Sequence, residues 1–139
     1  MRMAIVAALV AAMAGGCSST QDPKLIARLQ VEVRLGDLTG AIRSSELICR
    51  RDVTSGTGYL AFDQWALRAC HDLTSNPEVT RFLISGPPRG RPCPELYGGP
   101  QRARITGTVR GRSVDRSIDR TNGCGIRDWE LLELLLGPP

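Results

Sequence analysis

Leu29-Gln30-Val31-Glu32-Val33-Arg34-Leu35 alternates an aliphatic side chain with a polar one. Successive side chains of a strand point to opposite faces, so this spacing predicts a strand with one buried and one wet face. Such a strand needs neighbours in a sheet. Gly36-Asp37 and Thr39-Gly40 supply turn chemistry, and Ala41–Arg50 reads as a second, weaker strand ending at Cys49. Thr54–Gly58 reads as a loop. Further on, Ile105–Val109 and Ser113–Arg120 flank Arg110-Gly111-Arg112, the pattern of a hairpin.

A helix lies between these strands. Phe62, Trp65, Ala66, Ala69, Cys70 and Leu73 fall on one stripe at helical spacing. Asn76-Pro77-Glu78 has the order of an N-cap followed by a first-turn proline, so a short second helix carrying Val79, Phe82 and Leu83 follows. Residues 85–94 hold four prolines, which fix φ and remove backbone donors, and they read as a stiff, extended, exposed segment. For Trp129–Leu136 the residue preferences favour a helix, while the length also suits a buried final strand. The pattern is an α+β domain, an antiparallel sheet with one main helix.

Composition narrows the function. The 139 residues are enough for one domain, and 42% apolar content is too high for a disordered chain. A net charge of +4, with only 4% aromatic residues, gives no aromatic-rich basic face for nucleic acid. His71 is the sole histidine. A self-contained histidine triad or a multi-histidine zinc site is therefore not expected, and His71 reads as a surface residue. No metal, cofactor or enzymatic activity is anticipated.

Residues 1–16 read as an export signal, with Arg2 at the positive end and an apolar run over Ala4–Ala14. Eleven apolar residues reach only about 16 Å as a helix, too short for a ~30 Å hydrocarbon core. Two cleavages fit. Ala14-Gly15-Gly16-Cys17 is similar to a lipobox, which would acylate Cys17 and anchor the chain to the outer face of a membrane. Ala12-Met13-Ala14 would instead release a free protein, but a fifth cysteine placed just after the apolar run favours the lipoprotein reading, with Cys17 as the acylated N-terminus. In either case 17–24, with Ser18-Ser19-Thr20, reads as a polar tether and 25–139 as the folded domain.

Four cysteines remain: Cys49, Cys70, Cys93 and Cys124. In an exported domain of this size an even count reads as disulfides, and the spacing leaves three pairings open. No C-x-x-C pair points to a zinc ribbon or a thioredoxin-like site.

With the cysteines in place, the chain resembles the subtilisin inhibitor-like family, small secreted bacterial inhibitors of serine proteases. The resemblance runs from about Leu25 to Leu136. Its pieces are Leu47-Ile48-Cys49, Ala69-Cys70-x-Asp72-Leu73, Cys93-Pro94-Glu95-Leu96-Tyr97, Gly107-Thr108-Val109-x-Gly111-x-x-Val114 and Asn122-x-Cys124. It implies bridges Cys49–Cys70 and Cys93–Cys124. It also implies a five-stranded antiparallel sheet with helices on one side, Leu131–Leu136 as the last strand, and a homodimer formed through the open sheet face. The contact segment it implies is Pro92, Cys93, Pro94, Glu95, Leu96 and Tyr97, with the reactive bond at Glu95–Leu96 and Glu95 as the specificity residue. A subtilisin-type serine protease is the implied partner.

The physical logic of such a segment is that of a substrate held still. It adds to the strands of a protease cleft, and stiffness spares the cost of ordering a loose loop on binding. Gly98 and Gly99 are expected to add backbone freedom just beyond it. Arg89, Arg91, Arg102 and Arg104 could flank the loop and steer it to an acidic surface. The alternative is a lipid-anchored envelope module on the same fold that inhibits nothing.

Overall fold

The alternating stretch lies in the ten-residue strand β1 (Leu25–Arg34) of a computed structural model that describes residues 22–137. Ala27, Leu29, Val31 and Val33 are buried, while Arg28, Gln30 and Glu32 are exposed. Leu35 falls past the strand end and is 42% exposed. β1 is central because both its edges are paired. One edge meets β2 (Ile42–Arg50) and the other meets β4 (Arg102–Val109), so Val31 lies opposite both Ser45 and Ile105. β3 (Thr54–Gly56) extends the sheet beyond β2, and β5 (Arg112–Asp119) extends it beyond β4. The order is β3-β2-β1-β4-β5, with every pairing antiparallel. β4 and β5 join through Arg110-Gly111, both at positive φ (50° and 74°), as a two-residue hairpin of the primed type requires.

The helices cover the face that carries Leu29. A single 3-10 turn (Gly58–Ala61) leads into α1 (Asp63–Ser75), which buries Ala66, Ala69, Cys70 and Leu73. Phe62 stands just outside α1 and is 67% exposed, and Trp65 is only partly buried against the core, so the fully buried stripe is two residues shorter than its spacing suggests. α2 (Pro77–Ser85) starts as its sequence says: the Asn76 side chain accepts from the Glu78 amide at 3.1 Å, with Pro77 in the first turn. Arg116 of β5 donates to the last carbonyls of α2, those of Phe82 (3.0 Å) and Ile84 (2.6 Å). Cys49–Cys70 ties β2 to α1, and Cys93 is bridged to Cys124.

Two expectations are corrected. Leu131–Leu136 is not the last strand: the chain forms α3 (Gly123–Leu131) and then α4 (Glu133–Leu136), and the leucine-rich composition follows its helical preference. Leu132, Leu135 and Leu136 still enter the core from there. The fifth strand is supplied instead by Thr54–Gly56, expected as loop. There Gly56 lies so close to the Leu60 backbone that no Cβ could fit. The main helix and the short second one stand as read in α1 and α2, and α3, nine residues like α2, and the four-residue α4 add to them.

At the start of the described residues, Asp22 pairs with Arg50 (2.9 Å) and Lys24 with Asp52 (2.6 Å), so the end of the expected tether lies against the sheet. The export signal and Cys17 lie outside the described residues.

Leu29→Ala is expected to cost about 3 kcal/mol, because its site is fully buried at the sheet centre. Gln30→Ala, on the wet face, should stay within about 0.5 kcal/mol. Urea midpoints at unchanged m-value check both.

Candidate functional site: a surface loop tied at both ends

Between α2 and β4, residues 86–101 form neither helix nor strand. Pro92, Cys93, Pro94, Glu95, Leu96 and Tyr97 are all exposed, Leu96 at 57% and Tyr97 at 71%. Exposed apolar side chains in a row need a reason, and the ties on either side give the context.

On the N-terminal side the Cys93–Cys124 bridge (Cα–Cα 5.0 Å) fastens an exposed loop residue to a buried position in the first turn of α3. The Gly123 amide donates to the Pro94 carbonyl at 2.8 Å. The Pro94 ring rests on Gly123, where an added Cβ would meet ring carbons at 3.1 to 3.3 Å. The Leu96 amide donates to the same carbonyl at 2.8 Å, which closes a three-residue turn with Glu95 at its centre. Further back, Arg91 grips Asp128 of α3 through both guanidinium nitrogens, Nη1 to Oδ1 at 2.7 Å and Nη2 to Oδ2. The pair is largely shielded from solvent, and planar bidentate pairing fixes direction as well as distance.

On the C-terminal side the Gly98 amide donates to the Arg120 carbonyl at 2.8 Å. The expected looseness of Gly98 is not found: a Cβ there would come within 2.6 Å of the Ile126 side chain, so glycine permits close packing. Gly99 has a φ of 131°, a region that side-chain-bearing residues rarely enter. The Arg120 guanidinium donates to Gln101 Oε1 at 3.2 Å and lies over the Trp129 ring, 5.9 Å from its centre.

Both flanks therefore depend on one short stretch, residues 119–128. Asp119 Oδ1 accepts from the Thr121 amide (3.0 Å) and hydroxyl (2.7 Å), and Asn122 caps α3 by accepting from the Gly125 amide at 2.9 Å. The bonds from Thr121 hold the Asp119 carboxyl below its ordinary pKa of 3.8.

The structure brings the six predicted contact residues together on one exposed turn. It does not gather the four arginines. Arg91 is taken up by Asp128, and Arg104 pairs with Asp115 at 3.0 Å on the open sheet face, where Arg102 also lies in register with Arg34; Arg89 alone is exposed on the loop. His71 is exposed on α1, with Ser75 Oγ at 3.2 Å from Nδ1. Among the described residues no three His, Cys, Asp or Glu side chains converge as metal ligands. A cavity of about 490 Å³ between α1 and α3, lined by Tyr59, Trp65, Arg68 and Trp129, includes no residue of the contact turn.

Sequence reading missed Arg120, Gly123, Ile126 and Asp128 as supports. Gly123 could have been suspected from its place beside Cys124. Asp128 lies 37 residues from Arg91, with no local signal to join them.

No family model and no curated protein matches the chain. Among solved structures it is similar to Streptomyces caespitosus sermetstatin, in its crystal structure in complex with Bacillus licheniformis subtilisin. The identity is 21% and the TM-score 0.44, over 76% of this chain and 96% of that one. At that distance no residue role passes from one chain to the other.

Asp119→Ala is expected to cost roughly 1 kcal/mol at neutral pH, given a half-exposed charged acceptor. The folded-state pKa is depressed, so this stabilisation is complete above 3.8 and fades as pH falls through the lower folded value. Urea melts of both proteins should differ at pH 7 and converge in strong acid.

Proposed function

We propose that this chain is an exported inhibitor of serine endopeptidases of the subtilisin type, offering Glu95–Leu96 as a substrate-like bond. The observation that carries this reading is the attachment of an exposed turn, on both flanks, to residues 120–128. The resemblance of Cys93-Pro94-Glu95-Leu96-Tyr97 to the family's contact element points the same way. Two bridges in a small domain belong in an oxidising compartment, which agrees with an export signal at residues 1–16 and with Cys17 as a lipid-bearing end.

The reaction that such a loop stalls is ordinary acyl transfer. The protease serine attacks the Glu95 carbonyl, the bond to the Leu96 nitrogen breaks, and an acyl-enzyme forms with a free Leu96 amine. In a flexible substrate that amine diffuses away and water finishes the reaction. Here Pro94 and Gly98 remain hydrogen-bonded to the body, so the amine stays beside the ester at high effective concentration. It attacks the ester, the peptide re-forms and the serine is released unchanged. The enzyme is occupied without net turnover.

One feature favours a second reading, a non-inhibitory envelope module. Broad subtilisin-type pockets are apolar, and burying an unpartnered carboxylate there costs several kcal/mol. Exchanging that side chain separates the two readings. Glu95→Met should tighten subtilisin inhibition by about a hundredfold or more, at ~1.4 kcal/mol per tenfold. If the Met variant, with both bridges intact, inhibits nothing, the module reading holds.

The bridge is tested separately. Replacing Cys93 and Cys124 with serine in the Met variant should cost about 3–4 kcal/mol of stability, for a closed loop of 31 residues. It should also turn the loop into a substrate, seen as accumulating cleavage after residue 95 by mass spectrometry.

A further inference from the structure

Resting on the inhibitor reading, we propose that the partner protease has a cationic specificity pocket. It would be a serine endopeptidase that cuts after glutamate and is anchored by Glu95. The support comes from how this chain spends its own cations. Glu95 is exposed at the centre of the turn, and among the described residues it takes part in no ion pair or side-chain hydrogen bond, although the chain holds 18 Lys and Arg.

Three arginines packed on the body are engaged elsewhere, and Arg89, exposed on the same loop, makes no ion pair with Glu95. Arg91 is held by Asp128, Arg116 by the carbonyls at the end of α2, and Arg120 by Gln101 and the Trp129 face. Pro94, just before Glu95, has its carbonyl fixed by two amides, so the backbone cannot easily turn the carboxylate back toward the body. A rigid turn thus presents one unneutralised negative group to a partner.

Three kinds of pocket could receive it. An apolar pocket leaves the carboxylate desolvated and unpaired, and an acidic pocket, as needed to cut after Lys or Arg, repels it. A pocket lined by guanidinium, imidazolium or ammonium groups replaces the lost water with charge-assisted hydrogen bonds. Only the third rewards the group that is displayed. Leu96 and Tyr97 beyond it would add apolar contact without bearing on the choice of charge.

Inhibition constants of the oxidised chain against a glutamyl-specific serine endopeptidase and against subtilisin test this, with Glu95→Gln and Glu95→Met as variants. Glu95 is exposed and bonded to nothing in the body, so the variants should keep the fold, which intact bridges and unchanged circular dichroism verify. The expected result is that the native chain inhibits the glutamyl enzyme and favours it over subtilisin. Glu95→Gln should lose about 100-fold against that enzyme, the order seen when one partner of a buried charge pair is removed. Glu95→Met should exchange glutamyl for subtilisin inhibition.

Equal inhibition of the glutamyl enzyme by the native and Gln forms would overturn the cationic pocket. So would its complete escape while Glu95→Met inhibits subtilisin, although the inhibitor reading would then stand. Failure of every form against both enzymes would overturn the inhibitor reading and this inference together.

Discussion

The carbonyl of Pro94 accepts from Leu96 within the loop and from Gly123 in the body, and the bridge from Cys93 lands one residue further on. That small junction governs the site. Ordering a free backbone costs roughly 1–2 kcal/mol per residue, a cost that a binding segment meets on contact unless folding has met it already. Folding does so here because residues 119–128 sit between two buried anchors, Ile118 in β5 and Trp129 in α3. The sheet and helices thus position a turn that itself contains no regular structure.

Legibility in the sequence followed the physics of each element. β1 was readable because one face is buried and one is wet, which imposes alternation on Leu29 through Arg34. α1 was readable from its buried stripe, and α2 from Asn76 and Pro77. β3 was not, since it is only three residues long and Ser55-Gly56 has little strand preference; all three residues pair with Leu47–Cys49, and Gly56 tucks under Leu60. α3 was hidden by Gly123 and Gly125 in its first turn, which depress helix preference, so the Asn122 cap was its main local sign. The contact turn was legible because it is contiguous. Its supports were not, because tertiary packing alone brings Arg120 and Asp128 beneath it.

The wet side of the sheet has its own chemistry. Arg28 lies 3.7 Å from Glu46, Arg104 pairs with Asp115, and Gln30 and Thr106 stand between them in register. A homodimer of the kind the resemblance implies would have to cover these charges. Homodimer interfaces are typically about 65% apolar, and exposed pairs of this kind give little energy to draw on. The polar lattice also blunts an open sheet face against indiscriminate association.

The bridges join neighbours along the chain, Cys49 to Cys70 and Cys93 to Cys124, and neither ring encloses the other. For a polypeptide delivered N-terminus first, each of these cysteines is followed by its correct mate, or follows it, with no competing member of the four in between. With Cys17 blocked by a lipid, simple oxidation of these four in order of arrival would give the native connectivity out of three possible ones, without an isomerase having to undo mistakes.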